Sequence, residues 1–404
     1  MTRAGPSIVI IGAGQAGARA AEALRAAGHA GAVTLIGAEA HPPYERPQLS
    51  KEMLLKTDAV PAFVRSAPDW ATLGVDLVTG AEIADGDIER GHVAAKDGRV
   101  FGFDKLMFAT GTVPRRLPAL EAGPIPVHYL RTIDDACALR RGFVPGARIV
   151  AVGGGVIGLE AAAAAVAQGA RATVIEAAPR LLARALPEVV AGFLRRRHEQ
   201  AGVEFHFGQV PVGANAQGVV LADGRVVPAD LIVVGVGVDP VVGLAERLGL
   251  AGGQGIKVDA HGRTELPHIF AAGDVALQWS RCHDRWTRIE TWANAQNQAI
   301  AAARTMAGQD SPYGDPPWFW SDQYDVNLQV LGDAVADDLV LRGDVEAGRF
   351  TLIALRAGEV VGAVTVNAAR DMAALRRIVA GRQRPARADL ENPAFDLRRA
   401  AAPK

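Results

Sequence analysis

Two glycine clusters, each followed by an acidic residue, carry the clearest chemistry in this chain. The first is Gly12, Gly14 and Gly17; the second is Gly153, Gly155 and Gly158, with Val156 and Ile157 between the last two. Both are GxGxxG turns. The first glycine makes the tight bend, the second lets a pyrophosphate approach the backbone, and the third lets helix and strand pack closely. A helix that opens at such a turn offers free N–H groups and its positive dipole end to a phosphate. Glu176 ends the strand after the second turn and suits bidentate hydrogen bonding to an adenosine ribose. Its charge would repel a 2′-phosphate, and Ala177 and Ala178 follow it, which favours NADH over NADPH. Arg180 and Arg184 lie near enough to temper that preference. Glu39 stands close to the corresponding place after the first turn, next to Ala38.

The surrounding pattern supplies the elements these turns need. Residues 7–11 (SIVII) and 148–152 (RIVAV) read as buried parallel strands, each running into its glycine turn and then into an Ala-rich helical stretch. Residues 33–36 and 172–175 read as the second strands. The second cluster begins about 140 residues after the first, a domain insertion rather than a short repeat. Further strands are expected at 105–110, ending at Thr110 and Gly111, and at 230–237, ending at Gly237. The stretch 266–274 delivers Gly273 and Asp274 to a turn. Asp274 reads either as a ligand of a ribitol hydroxyl or as an ordinary turn residue. A helix is expected over 288–306. The tail is expected to hold strands at 326–330, 338–341, 350–355 and 360–366 and a helix near 371–380.

Composition narrows the function. The 404 residues exceed a single ordinary core, 49% are hydrophobic, and the formal net charge is -1. Nonspecific nucleic-acid binding has no support in that charge. The amino-terminal apolar run enters the glycine turn without a signal-peptide pattern. The Ala- and Gly-rich stretch around residue 160 is too weakly apolar for a membrane span and carries Glu160. A soluble cytoplasmic monomer is expected. Cys137 and Cys282 form no CxxC pair and cannot alone hold an iron–sulfur cluster, and no metal site is expected.

The order of motifs resembles the FAD- and NAD-linked reductases, and within them the oxygenase-coupled, NADH-dependent ferredoxin reductases of the putidaredoxin reductase and biphenyl dioxygenase type. The segments that carry the resemblance are 43–51 (PYERPQLSK), 109–111 (ATG), 129–135 (YLRTIDD), 153–160 (GGGVIGLE), 269–274 (IFAAGD) and 317–323 (PWFWSDQ). It implies an α/β protein with two Rossmann-like dinucleotide-binding domains, as in glutathione reductase, plus a C-terminal α+β domain. The implied order is a flavin domain over 1–112, an NAD domain over 113–238, a return to the flavin domain over 239–315 and a tail over 316–404. It further implies that Arg46, Pro47 and Lys51 border the flavin ring, and that Lys51 and Glu160 pair near its N5 edge. Arg131 and Asp274 would contact the cofactor, and Trp320 would lie near the ring and the ferredoxin side. Thr110, Gly111, Gly273 and Trp292 complete the expected FAD set, and Arg184 and Gly237 the expected NAD set. Hydride would pass from NADH to flavin N5, and electrons would then leave singly to a small [2Fe–2S] ferredoxin that serves a ring-hydroxylating dioxygenase or a cytochrome P450.

Two basic stretches are candidates for ferredoxin docking. Arg281, Arg285 and Arg288 lie in one (RCHDRWTR), and residues 370–387 form the other, which reads more simply as a solvated face. Two rivals stay open. One is an NADH oxidase, peroxidase or nitrite-reductase-like flavoprotein, whose peroxide-type members need a redox cysteine in the region of residues 47–51, where none stands. A regulatory flavoprotein of the same domain order would bind both nucleotides yet pass electrons to ferredoxin slowly.

Overall fold

The structure, a computed structural model, describes residues 5–401 and divides into two compact units, each assembled from three stretches of chain. The first comprises residues up to 46, residues 62–113 and residues 239–317. At its centre is a five-stranded sheet in the order Ile269–Ala271, Lys105–Phe108, Ile8–Ile11, Val33–Ile36, Asp76–Val78. All its strands are parallel, with Ile8 in register with both Val33 and Lys105. Both faces are covered, so Ile8–Ile11 is apolar throughout rather than alternating. On one face lie the helices Gln15–Ala26 and Trp292–Met306. Each turns a stripe of small residues to the core: Ala16, Ala20, Ala23 and Leu24 from the first, Ala295, Ala299, Ala302 and Met306 from the second. That spacing returns every turn or two to one side of a helix, and alanine lets the backbones approach.

The second unit comprises residues 47–61, 114–238 and 318 onward. Its parallel sheet runs Glu204–Phe207, Arg171–Glu176, Arg148–Val152, Leu231–Val234, Val127–Tyr129. The helix Val156–Ala167 packs on it with Leu159, Ala161, Ala162 and Ala165 fully buried. The carboxy-terminal part is an antiparallel sheet ordered Trp318–Gln323, Val326–Gly332, Glu359–Val366, Arg349–Arg356, Asp338–Asp344. One face packs on the helix Ala369–Ala380 through Met372, Leu375 and Ile378. The other packs on the helix Glu188–Gln200 through Val190, Phe193 and Leu194, with Phe193 edge-on to Phe350. Glu359–Val366 is covered on both sides, which explains a run of apolar residues in an antiparallel strand. The architecture is therefore two Rossmann-like parallel sheets and a mixed α+β tail.

Several element bounds differ from the sequence expectations. Residues 288–291 are not helical. Arg285–Arg288 is a strand paired with Ala276–Ser280, and the helix starts at Trp292. Thr291 is its N-cap, accepting the Asn294 N–H at 3.2 Å, and the β-branched Thr287 lies in the strand that precedes it. The strand expected over 230–237 covers only Leu231–Val234, and the one expected over 105–110 ends at Phe108. Both stop where the chain turns through glycines. The tail also holds a strand not anticipated, Trp318–Gln323.

Candidate functional site

The two glycine turns share one construction. Gly12 has φ 111° and Gly153 has φ 108°, a region that only glycine enters readily. A Cβ on Gly12 would collide with the Ala109 carbonyl, and one on Gly17 or Gly158 would collide with the carbonyl of the first glycine of its own turn. The helices that follow start at Gln15 and Val156. Among the described residues, these are the only helices of ten or more residues with neither a side-chain cap nor an acidic residue in the first turn. Their orphan N–H groups face open backbone cradles, which suits the pyrophosphate of a dinucleotide.

Around the first turn, charged groups gather within the first unit. Glu39 accepts from Arg46 Nη2 at 2.5 Å and from the Tyr44 hydroxyl at 2.5 Å. Arg46 Nη2 lies 3.9 Å from where a Gly14 Cβ would be, so the guanidinium stands at the phosphate cradle. Burial works against the Arg46 charge. Tyr44, Glu39 and Asp274 outweigh it and hold the group above the usual arginine value. Asp274 accepts from Thr112 Oγ1 at 3.3 Å. The turn before it is held by Gln298, which accepts the Gly273 N–H at 2.8 Å and is itself linked to the buried Gln278 and Asn294. Thr110 donates to the Val241 carbonyl at 2.7 Å, and Gly111 takes φ 68°. Trp292 donates its indole N–H to Glu45, which also pairs with Arg19 at 3.0 Å.

Around the second turn, Glu176 is fixed by two backbone donors: Gly154 N–H at 2.6 Å and Ala178 N–H at 2.7 Å. The carboxylate keeps acceptor capacity for ribose hydroxyls. Arg180 is spent on the carbonyls of Leu186 and Ala183, at 2.6 and 2.9 Å, whereas Arg184 is exposed. Ile157 is 37% exposed on the first helical turn, and the Gly237 carbonyl accepts from Arg115 N–H. The Arg131 N–H donates to Asp135, part of a capping box on the helix Ile133–Gly142.

The third cluster lies within the second unit. Glu160, in the helix Val156–Ala167, is 4% exposed. Its carboxylate meets Lys51 Nζ at 3.2 Å and accepts from the hydroxyls of Ser321, at 2.5 Å, and Ser50. Burial pushes the carboxyl above the ordinary range, and Lys51, Ser321 and Ser50 only partly draw it back. Lys51 follows the turn Arg46–Gln48, donating its backbone N–H to the Gln48 carbonyl. The short helix Glu52–Leu55 after it is anchored by the buried Met53 and Leu54 and by Gln168, which donates to the Leu55 carbonyl at 2.6 Å. Lys51 Nζ also stands 5.7 Å from the Trp320 ring, which stacks on Trp318 at 5.3 Å.

Comparison with known proteins gives this geometry a lineage. The sequence matches the family described as pyridine nucleotide-disulphide oxidoreductase over residues 6–299 and the reductase C-terminal family over residues 318–401. It is 43% identical to the ferredoxin–NAD(+) reductase component of the p-cumate 2,3-dioxygenase system of Pseudomonas putida, covering 97% of each chain. The chain belongs to the FAD- and NAD-linked ferredoxin reductases.

Two solved structures of this family superpose closely. The ferredoxin reductase for the CYP199A2 system from Rhodopseudomonas palustris gives a TM-score of 0.94 at 36% identity, covering 98% of this chain and 100% of that one. Putidaredoxin reductase in its covalent complex with putidaredoxin gives 0.93 at 33% identity, covering 98% of both chains. As a ferredoxin reductase the chain uses FAD and NADH, and its residues fit both. The glycine cradles would hold the two pyrophosphates and Glu176 an adenosine ribose. Cys137 and Cys282 are not joined in a disulfide. Residues 43–51 place a lysine and a serine, but no cysteine, ahead of the helix Glu52–Leu55.

Sequence reasoning passed over several groups that complete these clusters. Gly154 binds Glu176 through its backbone, where a Cβ would come within 3.0 Å of the Glu176 carboxylate oxygen. Ser50 and Ser321 sit in segments singled out for other residues, and a serine carries little signal of its own. Arg288, expected at a docking patch, pairs with Glu290 at 2.9 Å and donates to the Asp274 carbonyl at 3.3 Å. Its charge is thus largely spent, whereas Arg281 and Arg285 are exposed.

Proposed function

We propose that this chain passes electrons from NADH through FAD to a [2Fe–2S] ferredoxin that feeds an oxygenase, either a ring-hydroxylating dioxygenase or a cytochrome P450. Bound FAD supplies the conversion between a two-electron donor and a one-electron acceptor. The observation that carries the reading is a pair of uncapped, glycine-cradled helix N-termini in a chain related along its full length to ferredoxin reductases.

The protein's own residues position and polarise. Residues 1–112 and 239–315 form the flavin part, 113–238 the NAD part and 316–404 the tail. Gly12, Gly14 and Gly17, with Arg46, hold the FAD pyrophosphate; Glu39 lies toward the adenosine end and Asp274 toward the ribitol. Pro47, Thr110, Gly111, Arg131, Gly273 and Trp292 are the further candidates for contact with FAD. Gly153, Gly155, Val156, Ile157 and Gly158 cradle NADH, Glu176 binds its ribose, and Arg184 and Gly237 flank it. Lys51 would present a positive charge to bound flavin, Glu160 orients Lys51, and Trp320 would lie near the flavin ring on the ferredoxin-facing side. Preorganised charge of this kind stabilises negative charge that develops on reduction.

Docking of ferredoxin falls to the hairpin formed by Ala276–Ser280 and Arg285–Arg288. It exposes Trp279 and Trp286, carries Arg281 and Arg285, and sets Lys257 4.4 Å from the Trp286 ring. A cationic, aromatic surface suits an acidic partner. No helix among the described residues is long and apolar enough to cross a membrane. We place the protein in the cytoplasm as a monomer, which fractionation and light scattering would check.

The deciding experiment is anaerobic: NADH, the yellow protein, a small [2Fe–2S] ferredoxin, and cytochrome c as final acceptor, with NADPH as parallel donor. Fast transfer that needs the ferredoxin and prefers NADH is expected. A flavin that bleaches with NADH while ferredoxins stay oxidised would refute the acceptor.

A further inference from the structure

Beyond Glu160, four polar side chains of the second unit stand end to end. Ser321 Oγ donates to Glu160 at 2.5 Å, and Gln323 Nε2 donates to Ser321 Oγ at 2.9 Å. Gln323 Oε1 lies 2.7 Å from His198 Nε2, and His198 Nδ1 lies 3.0 Å from the Tyr324 hydroxyl. His198 and Ser321 are wholly buried and Gln323 is 3% exposed, whereas Tyr324 keeps 40% of its surface. The row therefore runs from the exposed Tyr324 through buried side chains to the Lys51–Glu160 pair.

Its polarity follows from donor counting. An ionised carboxylate can only accept. The single Ser321 proton must then point to Glu160, so the serine oxygen takes an amide N–H from Gln323. The Gln323 oxygen consequently faces His198 and takes its Nε2–H. A neutral imidazole has one N–H, which leaves Nδ1 bare to accept from Tyr324. A protonated Glu160 has a proton to give, and the row can then run the other way once the Gln323 amide turns over, with the His198 proton moving to Nδ1.

We propose that this row locks the tautomer of His198 to the charge of Glu160. While Glu160 is ionised and paired with Lys51, His198 holds its proton on Nε2, and the aligned donors steady the carboxylate. Ser321, Gln323 and His198 are thus positioning residues for Lys51. Aligned hydrogen bonds polarise one another in a low-dielectric interior, and a buried acceptor left without its donor is costly. The terminal groups suit the role. Burial keeps His198 below the ordinary histidine value, with Arg197 acting the same way and the Gln323 bond opposing, so it has one N–H to place. Desolvation pushes the Tyr324 phenol up to about 12, against Arg197, so it keeps its proton. The charged and polar groups facing Glu160 are Lys51, Ser50 and Ser321. Those facing His198 are Arg197, Tyr324 and Gln323, with Asp325 pairing Arg197.

The inference draws its functional consequence from the proposed role of Lys51, but its first test does not depend on turnover. The holoenzyme would be labelled with 15N-histidine and the His198 signals assigned by their loss in His198→Gln. At neutral pH a single Nε2–H tautomer with a slowly exchanging proton is expected, and Ser321→Ala should let that proton exchange freely. An Nδ1–H tautomer in the native protein, or an unchanged exchange rate in Ser321→Ala, would overturn the proposal. The second test follows the pH profile of NADH-driven flavin reduction. Ser321→Ala should move the acid limb up by about one pH unit, the equivalent of one hydrogen bond to a charged group, and Ser321→Thr should restore it. An unmoved limb would defeat the link to Lys51. A protein that reduces no ferredoxin yet keeps the Nε2–H lock would refute only the acceptor reading.

Discussion

Lys51 Nζ and Glu160 Oε1 are 3.2 Å apart, with Glu160 almost wholly removed from solvent. Breaking such a pair strands the remaining charge. Lys51→Met should cost about 3–5 kcal/mol of stability at neutral pH, the usual range for a buried pair that loses one partner. In acid the loss should shrink, because Glu160 then takes up a proton. Thermal midpoints at acid and neutral pH would check this.

The same group sets a pH dependence in the native protein. Burial raises the Glu160 carboxyl above its ordinary value, with Lys51 and the two serines opposing. Its stabilising contribution is therefore complete below the ordinary carboxylate range and is lost as pH rises through the raised value. Glu160→Gln cannot ionise. The midpoint difference, native minus variant, should accordingly fall as pH climbs out of the carboxylate range. A difference constant with pH would refute the shift.

Glu176→Ala would remove the acceptor held by Gly154 and Ala178 together with the charge that, on the proposed role, would repel a 2′-phosphate. Efficiency with NADH should fall by roughly one to two powers of ten, in line with the loss of a charge-assisted hydrogen bond worth about 1.5–3 kcal/mol. NADPH should lose far less. Steady-state kcat/KM with both donors reads the change.

Gly12→Ala would meet the Ala109 carbonyl and force a φ of 111° on an L-residue. Backbone strain alone is about 1–3 kcal/mol, and the collision adds to it. The purified variant should carry little flavin, visible as a loss of yellow absorbance per protein.

Charge reversal at Arg281 and Arg285 tests the docking hairpin. The double glutamate variant should slow ferredoxin reduction at least tenfold at low ionic strength, converge on the native rate at high salt, and leave flavin reduction by NADH untouched. Equal rates at low salt would move the docking site elsewhere.

Much of this molecule is legible in one dimension because the decisive features are local. A GxGxxG turn needs glycine at set positions for backbone reasons, and the strand before it and helix after it announce themselves by runs of Val, Ile and Ala. Glu176 was readable because it ends a strand. Element ends were less so: the helix start at Trp292 depended on strand pairing of Arg285–Arg288 with Ala276–Ser280, a contact that helix periodicity does not encode.

By itself, then, the sequence determined the doubly repeated nucleotide fold and the lack of a paired cysteine near residues 43–51, and it singled out the candidate residues for the chemistry. Tertiary structure alone decided which groups are hydrogen-bonded to one another. Ser50, Glu160, His198 and the strand pair Ser321 and Gln323 come from four separate stretches of chain, and no local spacing joins those stretches. Their meaning lies in burial, where water no longer competes and each donor must find one acceptor. Tertiary contacts likewise tied Arg288 to Glu290 and the Asp274 carbonyl and Arg180 to backbone carbonyls, although both read in sequence as free charges.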